Sequence, residues 1–593
     1  MSVRNFLLLS LTATLLMVRS VAAQPEARIQ FVQTGIDHLK DDLKYLVELS
    51  PTPSLRKQWK DTLEPLIDSF ADGLDPTKPL RVDVIIGKDV TYEMHFPVKL
   101  LEQKNKGFIP NLKGMGFNIV KLNDNLYTVA QGGGKKGAPA KNPMYMRYAN
   151  GYASIAMTQA AVPANMPDPI TDSAKGVKPL LDLGFDVVGS MKNSSAAADV
   201  TARRKNFIEL RKQLEAGLVF KRNEDKNEFA LRKLSLIQNL NEAERFVVET
   251  EELLFNWTTS GAEKEGAGKG RAEFSISALP DTDLFKSTAV LASKPSYFEN
   301  VKLHDNGVVS GKTNFGLDSL RIEHLKEFYK TVRPVLDAQI DKRATFKDAD
   351  QKKSAKEASS ILIDMLNEGV ELGAADLFMD LHSAGDGKHT MVCGVRAADG
   401  KKADGIIKLL PKVNSTREVK MDIKKLGDEV SLHSITIPEK REAAFHKLFP
   451  GDTVIYVATS KDAVWGAAGV NAVEALEAAI KQAAEAAPEK ADPRVVYFSA
   501  HGGRLVELLD IIKPEPQKID EKLSKDEQSR LKQQQKETER VRKLATEATA
   551  NCDAVFSGEV KKNGNKVEGS LDVSECVLRF IGSVIAEFSK DFQ

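Results

Sequence analysis

Apolar residues recur along this chain with two different periods. Segments such as 144–148 and 454–456 are apolar at alternate positions (Met144, Met146, Tyr148; Val454, Tyr456), the pattern of a strand with one face on a core. The region 317–372 instead carries Ile322, Leu325, Phe328, Tyr329 and Val332 at helical spacing. Asn150-Gly151 is a two-residue hairpin signal, and Gly87-Lys88-Asp89, Gly427 and Asn563-Gly564 mark further turns. The pattern predicts a helical N-terminal region over 29–70, then hairpins at 82–96, 118–129 and 144–157. A helix over 173–183 leads to a strand at 185–188. Two charged amphipathic helices, 198–218 and 228–244, precede a hairpin of 246–257 with 271–278.

The same order returns from Asp376. Hairpins are expected at 376–396, 419–437 and 453–466, a helix at 471–486 and a strand at 494–498. Helices at 503–512 and 520–549, a hairpin at 553–573 and a last helix at 575–588 complete the chain. Recurrence of about ten elements in order predicts a tandem duplication. The expected fold class is α+β: two tandem copies of an antiparallel sheet packed on helices, each with long amphipathic helices. The boundaries that follow are 1–23 for a signal peptide and 24–79 for an N-terminal helical region. The first repeat is then 80–295, a linker and helical region 296–373, and the second repeat 374–593.

The N-terminus changes the picture of where the chain works. Arg4, the apolar run from Phe6 to Met17 and the small residues Val21-Ala22-Ala23 form the three parts of a secretory signal cleaved after Ala23. The mature chain is expected outside the cytoplasm, periplasmic or extracellular, with no further run long enough to span a membrane. Loss of Arg4 and Arg19 reduces the basic count from 84 to 82, against 83 acidic residues. That balance gives no nucleic-acid footprint.

Candidate chemistry is sparse. Ser499-Ala500-His501-Gly502-Gly503 lies between an apolar strand and a helix, where glycines can cradle an oxyanion or make a tight turn. The tight turn is favoured, with Gly502 and Gly503 supplying positive φ, because Gly-x-Ser-x-Gly is absent and the matching stretch Gly189-Ser190-Met191-Lys192 lacks the His. His382 and His389 bracket a turn and are expected opposite one another, with Asp386 and Asp380 near, a weakly specific metal set. The tracts from Gln131 and Gly261 are rich in glycine but lack the Lys-Ser/Thr of a phosphate loop. No cofactor and no metal are expected.

Three cysteines remain, with Cys393 expected as a buried free thiol. Cys552 and Cys576 flank the last hairpin. A three-residue loop 563–565 would set them directly opposite, within disulfide reach, whereas an Asn563-Gly564 loop would miss by one residue.

The stretches LKYLVELSPTPSLRKQWKDTLEPLIDSFADGLDPTKPLRVDVII and LDVSECVLRFIGSVIAEF, with the signal peptide, resemble uncharacterised large exported bacterial proteins of the planctomycete type. The resemblance runs through diffuse pattern over the mature chain and implies no activity. The expectation is an exported, non-catalytic binding or envelope-associated protein, with an envelope or protein partner. The alternatives are a cell-envelope hydrolase using Ser499 and His501, and a carrier of an apolar ligand between sheet and helices.

Overall fold

The computed structural model describes residues 26–589 apart from 132–142, 172–180, 183, 222–223, 261–268, 306, 344, 347, 416, 428, 439–442, 451–452, 487–491, 512–523, 551 and 553–554. The expected signal peptide, both glycine-rich tracts over most of their length, most of the 173–183 helix and residues 520–523 lie outside the described residues. The first half runs β1 (Ala27–Gln33), α1 (Ile36–Glu48), α2 (Pro53–Gln58), α3 (Glu64–Phe70), β2 (Leu80–Ile86), β3 (Val90–Pro97), α4 (Phe108–Gly114), β4 (Phe117–Asn123), β5 (Leu126–Gln131), β6 (Met144–Ala149) and β7 (Tyr152–Ala156). It continues through β8 (Val187–Lys192), α5 (Ala197–Ala216), α6 (Lys226–Glu244), β9 (Thr250–Ser260), β10 (Lys269–Ala278) and α7 (Asp283–Val290). The second half runs β11 (Gly307–Gly316), α8 (Ser319–Lys342), α9 (Ala349–Val370), β12 (Ala374–Gly385), β13 (Lys388–Arg396), α10 (Ala403–Val413), β14 (Val419–Lys425), β15 (Ser431–Thr436), α11 (Ala443–Leu448), β16 (Val454–Thr459) and β17 (Ala463–Gly469). It ends with α12 (Ala472–Ala483), β18 (Arg494–His501), α13 (Gly502–Ile511), α14 (Lys525–Thr549), β19 (Val555–Asn563), β20 (Lys566–Val573) and α15 (Glu575–Ser589).

The described strands form one 20-stranded sheet, antiparallel at every pairing. In space the first half reads β4-β5-β6-β7-β3-β2-β1-β8-β9-β10. The second reads β14-β15-β16-β17-β13-β12-β11-β18-β19-β20, the same order. β10 and β20 pair from Gly270↔Val573 to Ser277↔Lys566, so the halves share one sheet. Two strands were missed in the sequence. β1 lies inside the region read as helical, and β11 inside the region read as linker. Each runs between two strands, β1 between β2 and β8, β11 between β12 and β18, so neighbours on both sides fix them as strands.

Cross-strand register places phenylalanines over glycines. Phe31 faces Gly189, Phe274 faces Gly569, Phe378 faces Gly394 and Phe498 faces Gly558. In each pair a Cβ on the glycine would crowd the ring, so the ring covers backbone that has no side chain of its own. Phe378–Gly394 lies on one face, whereas the other three pairs share the opposite, apolar face along the middle of the sheet. Its register row runs Phe31, Gly189, Phe255, Phe274, Gly569, Val560, Val496, Thr313, Leu377 and Val395.

The helices of the two halves exchange. α1 and α2 of the first half dock on α14 and α15 of the second, where Val47, Leu55, Trp59 and Leu63 pack with Leu544, Phe580 and Ala586. Ser583 donates to or accepts from Ser50 across 2.9 Å. Reciprocally, α8 of the second half docks on α6 of the first. Arg245 pairs with Asp318, the N-cap residue of α8, at 3.1 Å with both side chains buried. Arg321 holds Glu242 at 2.8 Å. The inward faces of α5 and α6 are not uniformly apolar: α5 buries Arg203 and Asn206 beside Phe207.

Cys552 and Cys576 form a disulfide with Cα atoms 6.2 Å apart. The route differs from the hairpin argument. Asn563 pairs with Lys566 around a Gly564-Asn565 turn, so neither register considered from sequence is the one adopted. Cys552 precedes β19, and Cys576 sits in the first turn of α15, beyond the end of β20. The bond therefore ties the loop after α14 to the start of α15. Cys393 is free and half-buried, and burial pushes its thiol pKa up.

Two outcomes are expected. Thiol counting on unfolded, unreduced protein should find one free thiol, and Cys552→Ser/Cys576→Ser should lower stability by about 3 kcal/mol, the loop-entropy value for a crosslink of this span. Three free thiols would contradict the crosslink. At the α1–α15 contact, a Cβ on Gly582 would overlap the Leu46 carbonyl. Gly582→Val should cost about 3 kcal/mol in a denaturant titration, since backbone cannot move aside as a side chain can. An unchanged midpoint would show that the helices do not dock this way.

Candidate functional site

The face of the sheet opposite the apolar row carries clusters of polar side chains, beside a buried core of Phe378, Val392 and Trp465 in the second half. In the first half the polar side chains form one buried network. Arg81 donates through Nε and Nη2 to the two oxygens of Asp83 at 2.7 and 2.6 Å, and through Nη1 to the Pro169 carbonyl at 2.5 Å. Arg28 bridges Asp83 at 2.6 Å and Glu93 at 2.8 Å. His95 Nδ1 lies 2.8 Å from the Ser154 hydroxyl. The register explains the grouping: Asp83 pairs with Glu93, Arg81 with His95, and His95 with Ser154. Burial works to raise the Asp83 carboxyl, but Arg81 and Arg28 outweigh it and hold it below the usual carboxylate range. Burial pushes the His95 imidazole down to about 4, so it is neutral near pH 7.

Ligand atoms of Asp83, Glu93 and His95 lie within 4.8 Å of one another and could in principle gather a cation. The arginines argue otherwise. Two guanidinium groups already face two carboxylates, so the charges cancel and the carboxylate lone pairs are occupied. The cluster is best understood as a structural ion network.

In the second half the corresponding face is less neutralised. Ser310 donates to Asp380 Oδ1 at 2.5 Å, and His382 Nδ1 is 3.0 Å from Asp380 Oδ2. The His304 backbone N–H reaches the same oxygen at 3.4 Å, and the His304 ring stacks on His382 with centroids 4.1 Å apart. With the carboxylate accepting, His382 carries its proton on Nδ1. His304, Asp380 and His382 line a cavity of about 310 Å³ beneath α12. Residues 301–303 separate this cavity from a larger cleft of about 560 Å³ between β11, β18 and the chain from Ser296. Lys312, Arg494 and Tyr497 form its sheet side, with Glu299, Lys302 and Asp492 around them.

The residues singled out from sequence are distributed as follows. Ser499 pairs with Ser310 on one side and Ser557 on the other, so it stands beside the Ser310–Asp380–His382 chain. His501 is the last residue of β18, opposite Val555, and neither it nor Ser499 lines the cavities described above. Gly502 and Gly503 do not have positive φ. Gly503 answers a different demand: a Cβ would stand 2.7 Å from the Cys552 carbonyl oxygen. His382 and His389 are not opposite each other. An irregularity between Ser383 and Gly385 sets His382 against Thr390 and His389 against Ser383, which puts the two imidazoles on opposite faces. Asp386 occupies the exposed turn with φ 51°. The two rings and Asp386 therefore do not converge on one ion. Burial, reinforced by His382, lowers the His389 pKa.

Sequence reading missed Ser310, Lys312 and His304, because the strand and approach segment that carry them fell in the presumed linker. The signal was present as alternation: Ser310, Lys312 and Asn314 share one face of β11. Comparison of the chain with family models, with curated proteins and with solved structures finds no match.

The first-half network makes a pH prediction. The unfolded chain takes up a proton on His95 near its ordinary value of 6.5, the folded chain only near 4. Stability should therefore fall as pH drops from about 6.5 to about 4, by at most ~3 kcal/mol from this group. His95→Gln keeps a partner for Ser154 and should flatten the stability–pH curve in that window. An identical slope in the variant would assign the dependence to other groups.

Proposed function

We propose that the chain is an exported, non-catalytic binding protein, built by tandem duplication, whose ligand occupies the 560 Å³ cleft of the second half. The observation that carries this reading is the cleft itself: the largest of the described cavities, walled by sheet on one side and by the chain from Ser296 on the other. Its volume is in the range of small-molecule sites. The neighbouring polar chain supports binding over turnover. A serine nucleophile needs an adjacent general base, most often an imidazole, to take its proton. Here Asp380 stands between hydroxyl and imidazole, and both donate to it. The imidazole beside the Ser310 chain is His382, and it is paired to Asp380.

Duplication is supported by the identical strand order of the halves. Export is supported by the signal-like N-terminus and by the Cys552–Cys576 bond, which suits an oxidising compartment. Among the described residues no helix is long and apolar enough to cross a membrane.

A second reading, an apolar-ligand carrier or envelope-associated protein, is favoured by the open part of the apolar sheet face. Leu377 is 39% exposed, Met379 40% and Val395 49%, on the paired strands β12 and β13. Such a patch is a common mark of an interaction site.

Hydrogen–deuterium exchange on the full chain with and without a stabilising ligand, found by thermal shift across polar and apolar compounds, separates the readings. Protection of 296–303 and 494–497 supports the cleft. Protection confined to 377–379 and 393–395 would replace it with the apolar face. Ester or amide turnover abolished by Ser310→Ala or His501→Ala would overturn the non-catalytic reading.

A further inference from the structure

Resting on the cleft as the binding site, we infer that its ligand is an anion, a carboxylate or phosphate group held by Lys312 and Arg494 over the ring of Tyr497. The argument is an account of which charges are already committed. Three anionic side chains border the cleft, and two are spoken for. Glu299 accepts the backbone N–H groups of Ser296 at 3.1 Å and Asp492 at 3.0 Å. Asp492 accepts Nε and Nη2 of Arg494, at 2.8 and 2.6 Å, and its backbone N–H. Glu485 stands at the far rim, where its carbonyl takes Asn300.

The cations are not balanced in the same way. Among the described residues the Lys312 ammonium makes one hydrogen bond, to the Glu299 carbonyl at 2.9 Å, and no ion pair. An ammonium has three protons to place, and a neutral carbonyl satisfies one of them. Lys312 is half-buried, and burial lowers its pKa, with Glu299 opposing. Arg494 stacks over Tyr497 at 5.1 Å and uses Nε and Nη2 for Asp492, which leaves Nη1 outside that pair. Lys302 adds a third cation at the rim. Tyr497 faces Lys312 directly across the β11–β18 ladder. A cation, a guanidinium edge and an aromatic floor around an open volume are what a carboxylate or phosphate with a flat or apolar body requires.

The same face of the first half supplies the contrast. There the cation on the first strand, Arg28, lies against Asp83 and Glu93 and needs no external anion. In the second half the residues beside Lys312 are Phe378 on β12 and Tyr497 on β18.

The test is calorimetry on the full chain at low ionic strength, with inorganic phosphate and with succinate as probes. Saturable binding of either is expected, and which one binds separates phosphate from carboxylate. Lys312→Met should weaken it about tenfold or more, as loss of a charge-assisted contact does, whereas Lys312→Arg should stay within about threefold. Lys420→Met, an exposed lysine on the distant edge strand, should bind as wild type. Equal loss in Lys420→Met, or full binding in Lys312→Met, overturns the assignment. If Lys312→Met does not fold, limiting acylation of the wild-type chain read by mass spectrometry serves instead. Saturating anion should protect Lys312, and labelling indifferent to the anion overturns the proposal. A neutral ligand that protects the cleft in exchange while neither anion binds would sink the charge assignment alone. Absence of any ligand protection in the cleft would sink the binding site as well.

Discussion

The ladder between β10 and β20 is the contact on which the whole arrangement depends. Without it each half would present an open strand edge at its centre, with unpaired N–H and C=O groups along β10 and β20. With it, two ten-strand orders become one sheet, and the edges move out to β4 and β14. β14 carries Lys420, Lys424 and Lys425, charges that discourage pairing with another chain. At the ladder itself Phe274 lies over Gly569, so the seam has a packed apolar face as well as hydrogen bonds.

Helix exchange follows from the same seam. Joining the halves through β10 and β20 brings the helices after β1 toward the C-terminal helices, and those after β11 toward the helices after β8. Each half then lacks part of its own cover and takes it from the other. The two docking sites use different chemistry. One is apolar and close enough to demand glycine at 582; the other is held by Arg245–Asp318 and Arg321–Glu242. α15 also reaches β10 at the seam, and the exposed residues Phe31, Leu377, Met379 and Val395 lie away from it, toward the two ends of the apolar row.

Much of this was legible in the chain. Alternation located most of the hairpins, and the recurring order of elements pointed to two like halves. β1 and β11 were missed because each is followed directly by long helical sequence that dominates a local reading, even though β11 alternates. The cysteines were paired correctly for an incorrect reason: hairpin register was extended past the strand ends, into a loop and a helix turn. The His382–His389 inference failed on a single irregularity, since one residue of slip changes the face of a side chain. The cleft was invisible for a different cause. Lys312 and Arg494 are 182 positions apart and meet only because β11 inserts beside β18, a long-range pairing that no local pattern encodes.

The two halves use one topology for two electrostatic solutions. In the first, Arg28 and Arg81 enter the interior together with Asp83 and Glu93, and the cost of desolvating four charges is offset within the protein. That arrangement is closed: every carboxylate oxygen of Asp83 already accepts a guanidinium proton. In the second, the residues paired with Lys312 are aromatic, and the carboxylates nearby serve backbone N–H groups and a neighbouring arginine. A half-buried ammonium with a carbonyl for its partner is tolerable beside water but gains from an anion brought from outside. The first half therefore stabilises the sheet, and the second half keeps an ammonium whose one hydrogen bond among the described residues goes to a neutral carbonyl.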